Sequence, residues 1–124
     1  MKNKKPAIAV IDVGKTNKKL FLFDQDYNIV YERSARFLEI IDEDGDPCEN
    51  LESLRLSVFD SLRSLFNKKD FEVKAINFSA YGASFVNIDE DGNPVTPLYN
   101  YLKSYPEELK KKFGTSIEYG GDGT

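Results

Sequence analysis

An acidic residue, a glycine, a threonine, an asparagine and three lysines fall within eight positions of one another in Asp12-Val13-Gly14-Lys15-Thr16-Asn17-Lys18-Lys19. A carboxylate can hold Mg²⁺ directly or through water, a glycine lets backbone N–H groups approach an anion, and Thr16, Asn17 and the lysines add donors and positive charge. These residue types suit a cradle for phosphate and magnesium. Read alone, they describe equally well a strand-end Asp followed by a decorated turn.

The elements around this set are extended. Ala7-Ile8-Ala9-Val10-Ile11 is an apolar run long enough for a buried strand, and Leu20-Phe21-Leu22-Phe23 resumes as a second. The cluster is therefore the tip of a hairpin. Gly14-Lys15-Thr16 has the look of a P-loop, but that motif needs glycine at the position of Ala9 and a helix, not a strand, after it.

Along the chain, Asp24-Gln25-Asp26-Tyr27-Asn28 reads as a polar turn and Ile29 to Ile40 as a third strand, which completes an antiparallel meander. Asp42-Glu43-Asp44-Gly45-Asp46-Pro47 lacks the alternate ligands and sixth-position glycine of a calcium loop and reads as a solvated turn. Asp46 then caps a helix with Pro47 at its first position and Glu49 completing a capping box. Leu51, Leu54, Val58, Leu62 and Leu65 form its apolar stripe, widened by Phe59 and Phe66. Phe71 to Ser79 is a fourth strand, expected to lie parallel to the first after a right-handed crossover, and Phe85 to Ile88 resumes an extended run.

Asp89-Glu90-Asp91-Gly92-Asn93-Pro94 echoes the earlier acidic turn, which reads as convergent turn chemistry because the residues after the two copies differ. Ser104-x-x-Glu107 with Pro106 opens a short surface helix, whose Lys110, Lys111 and Lys112 complement its dipole before Gly114.

The pattern Asp12-x-Gly14-x-Thr16-x-x-Lys19 resembles the first phosphate loop of the sugar kinase, Hsp70 and actin superfamily. Ala75 to Pro97, with its Ser79-Ala80-Tyr81-Gly82-Ala83 loop, apolar run and acidic glycine turn, is similar to a segment of the FGGY carbohydrate kinases. That resemblance implies an α/β, ribonuclease-H-like (actin-like ATPase) domain, a mixed sheet in β-β-β-α-β order, incomplete as it stands. It implies ATP and Mg²⁺ as cofactors: Asp12 orients Mg²⁺, the Gly14, Lys15, Thr16 and Asn17 backbone with the Thr16 hydroxyl grips the phosphates, and Lys19 offsets developing charge. It places a sugar or polyol substrate at Tyr81, Gly82, Ala83, Asn100 and Tyr101.

Three residues depart from the family: Lys15 stands where Thr is usual, Ala83 where relatives have His or Glu, and Tyr101 where they have Asp. Such groups govern discrimination among polyols, so the sugar is not copied from a relative. Taken singly, Tyr81 and Tyr101 are as well read as half-buried aromatics. The resemblance implies that residues 1–124 are the N-terminal part of the first, sugar-binding domain. The catalytic base, the second phosphate loop and the C-terminal kinase domain are expected beyond Thr124, so the chain alone is expected to be inactive.

The 124 residues carry a net charge of −4, which opposes nucleic-acid or anionic-membrane binding, and the lysine-rich start is followed by too short an apolar run for a signal or membrane span. A cytoplasmic protein is expected. With one cysteine and no histidine there is no disulfide, no ordinary zinc site and no serine or cysteine triad. Two other functions fit the fold class: an actin-like interaction module without catalysis, and a two-metal nuclease. The nuclease lacks an acid at the end of the fourth strand, where Asn77-Phe78-Ser79 stands.

Overall fold

The computed structural model describes residues 3–99, 103 and 106–113. They divide into two compact units, the first built from the stretches Met1–Leu38 and Asn50–Tyr81, the second from Glu39–Glu49 and Gly82–Thr124.

The first unit holds β1 (Lys5–Val13), β2 (Lys18–Phe23), β3 (Ile29–Ala35), α1 (Leu51–Phe66) and β6 (Phe71–Ala80). Its four-stranded sheet has the order β3-β2-β1-β6. β1 and β2 are antiparallel, as are β2 and β3, whereas β6 lies parallel to β1. The expected meander, crossover helix and parallel fourth strand are all present. Strand alternation selects the core: Ala7, Ala9 and Ile11 of β1 and Leu20 and Leu22 of β2 are buried with Leu65 of α1, while Val58 and Leu62 pack against them. Phe59 and Phe66 do not widen the helix stripe. Both are more than half exposed.

The helix start differs from the expectation. Asn50 is the N-cap, its Oδ1 accepting the Ser53 N–H at 3.1 Å. Asp46 and Pro47 are not available to begin a helix because Pro47–Cys48 is a strand. Asp and Asn cap almost equally well, so pairing of the preceding residues decides between them. Replacing Asn50 with Ala should cost about 1 kcal/mol of stability, read from urea unfolding with an unchanged m-value.

The second unit contains β4 (Ile40–Ile41), β5 (Pro47–Cys48) and α2 (Glu107–Phe113). β4 and β5 pair antiparallel, Ile40 with Cys48 and Ile41 with Pro47. The third strand therefore ends at Ala35 instead of running to Ile40. Of the extended run after residue 84, only a single antiparallel bridge between Ile88 and Pro94 is formed. Ser104, expected to open the last helix, lies outside the described residues. Cys48 is buried, and burial, with Asp42, Glu39 and Glu49 nearby, pushes its thiol up, which keeps it unreactive.

The three acidic turns share one geometry. Asp24, Asp42 and Asp89 each accept, through Oδ1, the N–H groups two and four residues ahead at 2.8–2.9 Å. The fourth residue is left-handed in all three: Tyr27 at φ 64°, Gly45 at 87° and Gly92 at 83°. The likeness of Asp42–Pro47 to Asp89–Pro94 thus extends to the geometry of the turn, which Asp24–Asn28 also adopts.

Candidate functional site

The tip of the first hairpin is closed by the Gly14 N–H donating to the Asn17 carbonyl at 3.0 Å. A Cβ at position 14 would lie 2.6 Å from that same oxygen, so glycine is required for space. Because the Gly14 N–H is committed to the turn, an anion at the tip is left to the backbone of residues 15–17 and to the Thr16 hydroxyl. Thr16 and Asn17 are exposed.

Cross-strand partners point to the same face of a sheet. Asp12 is opposite Lys19, Lys19 is opposite Ser34, and Asp12 is beside Ser79 on the parallel strand. Ser34, Lys19, Asp12 and Ser79 therefore form one row across all four strands, directly beneath the tip. Among the described residues the Asp12 carboxylate makes no hydrogen bond or ion pair. The Lys19 ammonium makes no ion pair either, and its contact is with the Phe21 ring, 6.0 Å from the centroid. Composition and motif spacing do not single out Ser34 and Ser79. Strand register does, because it makes any residue opposite Lys19 or Asp12 a member of the row.

Lys18 points to the opposite face, where alternation puts it with Leu20 and Leu22, and it is only 7% exposed. Its Nζ donates to the Lys15 carbonyl at 3.1 Å. A lysine at a core-facing strand position thus braces the loop from below, turning the Lys15 carbonyl inward. The sequence motif gives it no such role.

Tyr81 stands at the same end of the sheet, its N–H extending the ladder to the Val13 carbonyl at 3.1 Å. Gly82 is exposed with open space around it, and Ala83 adopts a left-handed φ of 60°, a conformation that costs a non-glycine residue about 1 kcal/mol. The Ser84 hydroxyl next to it is buried without a hydrogen-bond partner among the described residues. Of the expected sugar-contacting residues, Asn100 and Tyr101 lie outside the described residues.

In the second unit, Asp42 uses its remaining oxygen to accept the Tyr99 hydroxyl. Lys103 pairs with Asp46 at 2.7 Å and lies 4.4 Å from the Tyr99 ring centroid. The Glu49 N–H donates to the Leu98 carbonyl at 2.8 Å. The Tyr99 bond holds the Asp42 carboxyl below its ordinary 3.8, helped by the Asp46 and Asp44 N–H groups. The same bond pushes the Tyr99 phenol up to about 12.

The two shifts bound the Asp42–Tyr99 bond, a latch within the second unit, on opposite sides. A depressed carboxyl contributes above its unfolded value of 3.8 and is lost as pH falls through its lowered one. A raised phenol contributes fully below 10.0 and is lost as pH rises through about 12. The latch is therefore intact from about pH 4 to pH 10.

A metal at Asp12 can be judged from the donors present. Among the described residues no cluster of three or more His, Cys, Asp or Glu side chains could hold one. Mg²⁺, however, is commonly bound by one or two carboxylates with phosphate oxygens and water completing its shell. A single unpaired carboxylate beside a glycine turn is the donor set that arrangement uses, so the residues fit the group.

No protein-family model matches the chain, and no curated protein matches it by sequence. Solved structures do. A carbohydrate kinase from Novosphingobium aromaticivorans superposes with a TM-score of 0.77 at 22% identity, over 91% of this chain and 23% of its own. Glycerol kinase from Plasmodium falciparum, solved with ADP, gives 0.75 at 18% identity, over 93% and 24%. Gluconate kinase from Lactobacillus acidophilus gives 0.70 at 21%, over 96% and 23%. At these identities the likeness is one of fold: the chain shares the mixed-sheet fold of the part of these kinases that it matches. It spans about a quarter of the length of the kinases it matches. Among the described residues no helix is long and apolar enough to cross a membrane.

Proposed function

We propose that the chain is the N-terminal, sugar-binding part of a longer FGGY-type carbohydrate kinase, which transfers the γ-phosphoryl group of ATP to a hydroxyl of a ketose or polyol. The observation that carries this reading is the row of Asp12 and Lys19 under a glycine-closed turn, both charges lacking an ionic partner among the described residues, on a fold shared with solved carbohydrate, glycerol and gluconate kinases.

In this reading Asp12 holds Mg²⁺, which when bound supplies positive charge against the phosphate oxygens. The backbone of Lys15, Thr16 and Asn17 and the Thr16 hydroxyl bind phosphate oxygens, and Gly14 keeps the turn narrow enough for them to do so. Lys19 neutralises charge that builds on the transferred group. Lys18 keeps the loop carbonyl turned away from the anion. Tyr81, Gly82, Ala83, Asn100 and Tyr101 contact the sugar, and the base that takes its proton belongs to the C-terminal domain, with domain closure excluding water.

The test begins with the reading frame. It should continue past Thr124 into a second domain of the same fold carrying another acidic phosphate loop. The extended protein should then release ADP from MgATP only when a sugar is added. Release that is independent of every ketose and polyol tried, or no MgATP binding at all, would instead leave an actin-like interaction module.

A further inference from the structure

The row beneath the tip has an order as well as members. From β6 to β3 it runs Ser79, Asp12, Lys19, Ser34, one residue from each strand of the first unit. Chemically that is a hydroxyl, an anion, a cation and a second hydroxyl, on strands spaced about 5 Å apart. Asp12 and Lys19 stand directly opposite each other, yet among the described residues they form no ion pair, and the ammonium's contact is with the Phe21 ring. Opposite charges that face each other and stay apart are both left to a ligand carrying both signs, as a metal phosphate does.

The order decides which side of Asp12 suits the metal. A cation at Asp12 is repelled by the Lys19 ammonium on the β2 side, whereas its neighbour on the β6 side is the neutral Ser79. Mg²⁺ keeps several of its waters, and those waters need acceptors around them. A serine hydroxyl accepts a hydrogen bond and an ammonium cannot. Ser79 and Ser34 are both exposed, and neither hydroxyl has a hydrogen-bond partner among the described residues, so the difference between them is position in the row. We propose that Ser79 is a positioning residue of the magnesium site: its Oγ accepts from a water on the metal held by Asp12, on the flank away from Lys19, while Ser34, beyond Lys19, has no part in holding the metal. This rests on the kinase reading above, and it adds to that reading which flank of Asp12 the cation takes.

The test uses the protein encoded by the whole reading frame and reads metal binding, not turnover. Mn²⁺ takes the place of Mg²⁺, and the dissociation constant of its ADP complex is measured from the enhancement of the water-proton relaxation rate. ADP binding in EDTA, measured by calorimetry, is the metal-free control. Ser79→Ala should weaken Mn²⁺–ADP about tenfold, the lower end of what losing an outer-shell partner costs a metal site, and leave metal-free ADP binding unchanged. Ser79→Thr keeps the hydroxyl and should bind Mn²⁺–ADP as the wild type does. Ser34→Ala should do the same.

Three outcomes overturn the role of Ser79 while the kinase reading stands. The first is a loss of less than about threefold in Ser79→Ala. The second is an equal loss with and without metal, or a Ser79→Thr variant as weak as Ser79→Ala, either of which makes Ser79 a structural residue. The third is a large loss in Ser34→Ala with Ser79→Ala intact, which puts the cation on the other flank. Failure of the wild type to bind either Mn²⁺–ADP or ADP is a different result: it removes the phosphate cradle itself, and the role of Ser79 with it.

Discussion

In the extended protein, Asp12→Asn should lower sugar-dependent ATP consumption about 10³-fold, the size expected when one preorganised charged group is removed from a phosphoryl-transfer site. The Asp12 carboxylate supports no bond of the fold among the described residues, so exchanging it for an amide of the same shape removes charge without unpairing a donor. Stability should therefore move by no more than about 0.5 kcal/mol, as for a surface substitution. Backbone pairing around it is untouched, since β1 is held on both sides by ladders to β2 and β6. An equal fall in stability and activity would make Asp12 a structural residue. Near-normal turnover in a folded Asp12→Asn protein would remove the magnesium role altogether.

How far this site is legible in the sequence depends on the range of the contacts. The β1–β2 hairpin is legible because each strand is an unbroken apolar run and the polar residues between them fit only a turn. β6 is legible from alternation, Phe71, Val73 and Ala75 standing between Glu72 and Lys74, and its parallel placement comes from the intervening helix. The helix start is not, because Asp46 and Asn50 both cap well, and the choice is made by the pairing of Pro47 with Ile41, a contact that local propensity does not weigh. Lys18 is hidden because the lysines of the turn look like one charged group, whereas strand alternation sends Lys18 and Lys19 to opposite faces. The Asp42–Tyr99 contact joins residues 57 apart through an oxygen that the similar turn at Asp89 does not use in this way. The Asp-Glu-Asp-Gly run common to both turns does not tell which of them has a distant partner.

The largest effect of a single methyl group should be at Gly14. Gly14→Ala brings a Cβ to 2.6 Å from the Asn17 carbonyl oxygen, a backbone atom that cannot swing aside as a side chain would. Either the Gly14–Asn17 hydrogen bond opens or the turn widens, and overpacking of this kind costs about 1–3 kcal/mol. Gly92 provides the contrast. Its φ is 83° with nothing within 4 Å of an added Cβ, so Gly92→Ala should cost only the left-handed penalty of about 1 kcal/mol. The two substitutions each replace one hydrogen with the same methyl, yet they should part in function. Gly14→Ala should raise the KM for MgATP in the extended protein about tenfold or more, because donors displaced by even a fraction of an ångström lose most of their hydrogen-bond geometry. Gly92→Ala should leave that KM unchanged. Should both variants keep the wild-type KM, the tip of the first hairpin does not hold the nucleotide. Should both lose it equally, the effect is global destabilisation, and chemical denaturation of each variant would show it.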